Sequence, residues 1–106
     1  MRSGRTKMIG FVSEGHEPGH LASLAAAAAA ADHLLVVAPP ASVGFLANRG
    51  VDGLVVSGSD KAATAWAKTG RPLVVVGEGR LPRGATRILA GGSAGAQAIA
   101  ALTEPA

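Results

Sequence analysis

The sequence predicts a three-layer, doubly wound α/β sandwich on a single, mainly parallel five-stranded sheet, Rossmann-like or flavodoxin-like. Three observations predict it. Short continuous apolar runs rich in Val, Leu and Ile recur at 7–13, 33–38, 52–57 and 72–77, with a weaker one at 86–91. Runs that do not alternate polar and apolar residues suit strands covered on both faces, as in a parallel sheet. Segments with helical spacing and helix-boundary residues separate the runs, giving the order β-α-β-α-β-α-β-loop-β-α. Such alternation places helices on both faces of one sheet through right-handed crossovers.

Taken in order, "KMIGFVS" is followed by Pro18, which suits a first helical turn because its missing N–H costs nothing there. Leu21, Leu24, Ala25 and Ala28 then repeat at helical spacing. The seven alanines at 25–31 give a smooth surface that can lie close to a sheet, and the run stops at Asp32-His33. After the strand "HLLVVA", Ser42 is expected to cap a short second helix ending at Gly50. After "DGLVVS", Ser59 is expected to cap a third ending at Gly70. Both glycines fit the left-handed position that follows a helix. In the third helix Ala62, Ala63, Trp66 and Ala67 form the inward stripe. Ser93 starts the last helix, with Gly95, Ala98, Ile99 and Leu102 facing in.

Composition bounds the rest. A chain of 106 residues holds one domain, expected over 7–106 behind a flexible basic tail at 1–6. Hydrophobic residues make up 48% and aromatic ones 3%, so the core is built from Ala, Val, Leu and Ile. The charged fraction of 16% argues against a disordered chain. The formal charge is +3, with Arg2, Arg5 and Lys7 at the start and Arg80, Arg83 and Arg87 in one later segment. Clusters of this kind can meet phosphate. Without interleaved aromatics or a DNA-binding motif, a solvated surface is the expectation and a nucleic-acid partner is not.

The absence of cysteine excludes disulfides and thiolate metal sites. The apolar run "LASLAAAAAAA" falls short of the roughly 20 residues a bilayer needs, and "MIGFV" is short for a signal-peptide core. A cytoplasmic protein without a membrane partner is expected.

One motif invites a metalloenzyme reading: His16-Glu17-Pro18-Gly19-His20 fits H-E-x-x-H. That pattern holds zinc because two His one turn apart on a helix face one metal, with the Glu as general base. Pro and Gly inside that turn cost about 3 and 1 kcal/mol relative to Ala. A helix starting at Pro18 is cheaper. It leaves His16 in a loop and His20 in the first turn, off a common face. A zinc site on His16 and His20 is therefore disfavoured, no metal is expected, and the segment becomes a polar strand-to-helix loop.

That loop still matters, because ligands of open parallel sheets bind outside the carboxyl ends of the strands. Those ends are Glu14 to His20, Pro39 to Ser42, Ser57 to Asp60, Gly77 to Arg80, and Gly91 to Ser93. "SGSD" (57–60) and "GGSAG" (91–95) place Gly and Ser at helix starts, where free N–H groups can hold an anion, although ordinary capping explains each as well. Neither G-x-G-x-x-G nor G-x-x-x-x-G-K-[ST] is present, no G-x-S-x-G elbow supports a nucleophile, and no carboxylate pair is suggested. No cofactor is implied.

From residue 50 the chain reads "GVDGLVVSGSDKAATAWAKTGRPLVVVGE", which resembles the core of the lac repressor and periplasmic sugar-binding family. In that family a Gly-Val-Asp-Gly-apolar strand, a helix, Gly-x-Pro and a Val-rich strand follow one another. "ILAGGSAGAQAIAAL" (88–102) resembles the next unit, with Gly95-Ala96 at the Gly-Ala pair that opens its helix, and "IGFV" stands as the first strand. The departures lie in the ligand motifs. The first loop is "EGHEPGHLAS" where relatives carry Asn-Pro and aromatics. Gly91 and Gly92 stand at the ligand-binding Asp-Asn, and no second lobe is expected.

The resemblance implies one lobe of a two-lobed binding fold. The leading expectation is a non-enzymatic binding domain that contacts a small polar or anionic ligand, or a protein partner, through its strand-end loops. Glu14, His16 and His20 would give polar contacts, Ser57, Ser59 and Asp60 hydrogen bonds, and Gly92 and Ser93 an anion seat. Pairing with a second copy would complete the half cleft. The alternative is a degenerate receiver-like signalling domain, in which Ser57 stands where the phosphoacceptor Asp belongs. The zinc-dependent hydrolase comes third.

Overall fold

The structure, a computed structural model, describes residues 7–13, 18–77, 81–88 and 94–103. Along the chain run β1 (Met8–Ser13), α1 (Pro18–Ala30), β2 (Leu34–Ala38), α2 (Val43–Asn48), β3 (Gly53–Ser57), α3 (Asp60–Ala67), β4 (Leu73–Val76), β5 (Thr86–Ile88) and α4 (Ala94–Thr103). The strands form one sheet in the order β2-β1-β3-β4-β5, parallel at every pairing. The fold class is thus the α/β sandwich that the alternating apolar runs predict.

Side-chain alternation along each strand divides the core in two. Ile9, Phe11, Val55, Val74 and Val76 point toward α1 and α4, where they meet Leu24, Ala28, Ala98, Ile99 and Leu102. Val12, Leu54, Val56, Leu73 and Val75 point the other way and pack on Val43 and Leu46 of α2 and Ala62, Ala63 and Trp66 of α3. Two faces of opposite parity explain why β3 and β4 are buried at every position and carry no polar alternation. The predicted inward stripes of α3 and α4 are the buried ones, with Ala67 half-buried at the end of the first.

Two expectations need correction, and one helical repeat is refined. The run "LLVVA" was predicted to be covered on both faces, but β2 is the sheet's edge, with Leu34 63% and Val37 55% exposed. Nothing local distinguishes an edge run from a central one; position is decided by which side of β1 each crossover takes. Of the residues repeating at helical spacing in α1, Ala25 is exposed, and Leu24 and Ala28 carry the contact. The side chain of Leu21 lies outside the described residues. Ser42 was expected to cap α2, but its side chain makes no cap hydrogen bond. A 3-10 turn at Pro40–Ser42 leads into the helix instead, with the Val43 N–H donating to the Pro40 carbonyl. Gly50 and Gly70 do take the left-handed conformation expected after a helix, at φ 82° and 75°.

α1 stops in a way the alanine run does not foretell. Asp32 adopts φ 62°, its N–H donates to the Ala29 carbonyl (3.0 Å), and the His33 N–H donates to Ala28 (2.8 Å). This is the paired closure of a Schellman end, with Asp where Gly is usual. The Asp32 carboxylate accepts a bond from Lys7 Nζ at 3.0 Å, while the Lys7 backbone N–H donates to Asp52 at 2.9 Å. The hydrogen bond and charge of Lys7 hold the Asp32 carboxyl below its ordinary pKa, against a small opposing cost of desolvation. A depressed carboxylate stabilises the fold above the usual carboxylate range, and that contribution disappears as pH falls through the lowered value. Asp32→Asn keeps the side chain's tolerance for positive φ and removes the charge. The expected result is a melting temperature slightly below wild type at pH 6 and level with it at pH 2.5, read by circular dichroism. Both groups are solvent-exposed, so the difference at pH 6 is small.

Two contacts tie the helix layers together. Arg71 donates through Nη1 to the carbonyls of Ala47, in the last turn of α2, and Val51, in the segment leading to β3, each at 3.0 Å. Across the other face α4 approaches α1 at Gly95, where a Cβ would stand 2.7 Å from the Ser23 carbonyl carbon and 2.8 Å from the Leu24 nitrogen. Among the described residues no helix is long and apolar enough to cross a membrane.

Candidate functional site

The strand order sets where a site can form. From β1 the chain winds outward to β2, then crosses back over β1 to β3, so the direction of winding reverses between β1 and β3. At such a reversal the loops leaving adjacent strands diverge to opposite faces and leave a crevice above the strand ends. Ser13 ends β1 and lies in register with Ser57 at the end of β3.

A crevice of about 770 Å³ opens at this point on the α2/α3 side of the sheet. One wall is Pro39, Pro40, Ala41, Val43 and Gly44, the segment from the end of β2 into α2. The other is Ser59, Lys61, Ala62 and Ala65, the start of α3, and Ser13 reaches it from β1. The volume falls in the range of small-molecule sites, and a mostly apolar lining with a few polar groups is their usual character. A shallower groove of about 500 Å³ runs on along α3 past Asp60, Lys61, Thr64 and Lys68.

Local chemistry explains each wall. Pro39 and Pro40 have no N–H to extend the β2 ladder, so the strand stops and the chain turns. Ser59, 5% exposed, sits in extended backbone at the N-cap of α3 and accepts a hydrogen bond from the Ala62 N–H at 3.2 Å. Asp60 follows in the first turn, where negative charge suits the helix dipole. The cap thus fixes the turn that presents Lys61 and Ala65 to the crevice. Ser59→Ala is expected to cost about 1 kcal/mol in urea unfolding, with Ser59→Asp close to wild type.

The sequence-predicted residues divide into three groups. Ser59 lines the crevice, but its hydroxyl is engaged in capping. Ser57 and Asp60 do not line it: Ser57 is buried at the end of β3 with the parity of Val55, on the α1/α4 side, and Asp60 is exposed in the neighbouring groove. Glu14, His16, Gly92 and Ser93 lie outside the described residues. His20 stands in the first turn of α1, as a helix beginning at Pro18 requires, and its side chain lies outside the description. Among the described residues no group of three or more His, Asp or Glu side chains stands together.

Sequence reading missed Lys61, Gly44 and Ala65 as lining residues. A lysine in the first turn of a helix reads as a solvated face. What brings it to a site is the packing of α2 against α3, which no local pattern encodes.

No known family profile matches the chain, and no curated protein matches it. Two solved structures share its fold. A protein assigned as a LacI-family transcriptional regulator, from Rhizobium etli, superposes with a TM-score of 0.56 at 10% identity, over 78% of this chain. The chain spans 32% of that regulator's length, about a third of it. A fragment assigned as a lipoprotein, from Peptoclostridium difficile 630, superposes with a TM-score of 0.63 at 15% identity, over 91% of this chain and 93% of that one. The sequence's resemblance to the lac repressor family therefore holds at the level of fold, and at these identities fold is all it conveys.

Proposed function

We propose that this chain is a binding domain that holds a small ligand in the crevice between residues 39–44 and the start of α3. The observation carrying this reading is the position of the crevice. It stands at the carboxyl edge of a parallel sheet, where the winding reverses, and joins apolar walls to a few polar groups. No constellation of nucleophile, base and orienting group lies there among the described lining residues, so binding rather than turnover is the function inferred.

The receiver-like alternative shares the strand order but draws no further support. The third strand ends in Ser57, whose side chain lacks the carboxylate that phosphoryl transfer to this fold would need.

Gly44 supplies the test. It lines the crevice, and a Cβ built there meets nothing within 4 Å. Gly44→Leu fills the space, and removing an exposed helical glycine supports α2 by up to about 1 kcal/mol. Saturation-transfer NMR against a panel of short carboxylic acids, pentoses and nucleosides is expected to give binders for wild type that Gly44→Leu no longer binds. Its amide spectrum and melting temperature should stay wild-type or better. Undiminished binding by the folded variant would refute the reading.

A further inference from the structure

Resting on that crevice as the site, we propose that its ligand is a small aliphatic carboxylate, with the carboxylate on Lys61 and the hydrocarbon body against Pro39, Pro40, Val43 and Ala65. Four features of the lining select this class.

Charge comes first. Among the described residues lining the crevice Lys61 is the charged one, and its ammonium has no carboxylate partner among the described residues. An anion gains there what a neutral group does not. Among the described lining residues there is likewise no carboxylate, so the ammonium of an amino acid would find no counter-charge on them. An acid without an α-amino group fits better than the amino acid of the same skeleton.

Shape and polarity exclude the other common ligands. The described walls are saturated: Pro, Ala and Val, with no aromatic ring among the described lining residues. Phe11 and Trp66 are buried in the two cores, and Phe45 lies under the Arg49 guanidinium at 4.6 Å, outside the lining. A nucleobase therefore meets no ring face among the described lining residues on which to stack. A sugar needs many hydrogen-bond partners to replace its hydration, and among the described lining residues the hydroxyl on this face is that of Ser59, which already accepts from the Ala62 N–H; Ser13 ends β1 with the parity of Phe11, on the α1/α4 side. A branched or short hydrocarbon chain asks only for apolar contact, which the proline wall supplies.

The experiment measures affinities by ligand-detected NMR titration for 4-methylpentanoate, its amide, leucine and ribose. Lys61 is exposed, so its preference is modest: the amide and leucine are expected to bind about fivefold more weakly than the acid. Lys61→Gln should bring acid and amide together, Lys61→Arg should retain the gap, and raising the salt concentration should narrow it. Equal affinity for acid and amide in wild type, an unchanged gap in Lys61→Gln, or no saturable binding of the acid would overturn the proposal. Ribose binding that Gly44→Leu abolishes would overturn the ligand class while sparing the crevice. Acid binding that Gly44→Leu leaves intact would overturn both.

Discussion

Trp66→Ala is expected to lower the unfolding free energy by about 3–5 kcal/mol, the range for removing a fully buried aromatic side chain. Trp66 is 0% exposed and is the largest side chain in a core otherwise built from Val, Leu and Ala. It fills the space between α3 and the sheet, and its Nε1–H donates to the Pro72 carbonyl at 3.0 Å. Neighbours with so few atoms cannot collapse into the cavity that alanine leaves. Against a typical total of about 5–15 kcal/mol for a domain, such a loss leaves the chain barely folded at 37 °C. Trp66→Phe should cost less, because Pro72 also accepts from the Leu54 N–H at 3.2 Å and is not orphaned. Urea unfolding of the three proteins checks the order.

The second large effect reverses a familiar sign. Gly→Ala inside a helix ordinarily gains up to about 1 kcal/mol, and Gly44→Ala should do so because its surroundings are open. Gly95→Ala should instead cost about 3 kcal/mol, the upper end of ordinary overpacking. The added methyl meets the hydroxyl and backbone of Ser23 and the backbone of Leu24. A flexible side chain can turn away; a helix backbone cannot without moving α1 off α4. The paired measurement is chemical denaturation of both variants, with opposite shifts expected. A stabilised Gly95→Ala would mean that the two helices do not approach as described.

How much of this was legible beforehand follows from which forces are local. The strands, the helix ends at Gly50 and Gly70, the Ser59 cap and the inward stripe of α4 depend on residues a few positions apart, and the sequence displays them. The edge position of β2, the 3-10 entry to α2 and the seam at Gly95 depend on elements distant in the chain. Gly95 was read as an inward-facing helical residue, which it is. That it must be glycine follows only from where α1 passes. The site divides in the same way. The strand-end rim was predictable from parallel pairing, and Ser59 and Pro39 lie on it. Lys61 and Gly44 became lining residues only when α2 packed beside α3.

The measurement that bears most directly on the account is an amide-shift map of the ¹⁵N-labelled protein on addition of 4-methylpentanoate. The account predicts that the largest shifts cluster at Ala41, Val43, Gly44, Lys61, Ala62 and Ala65, on both walls of the crevice. Shifts centred on the opposite rim, at Lys7, Ala29, His33 and Leu34, or along the free edge of β2, would contradict it.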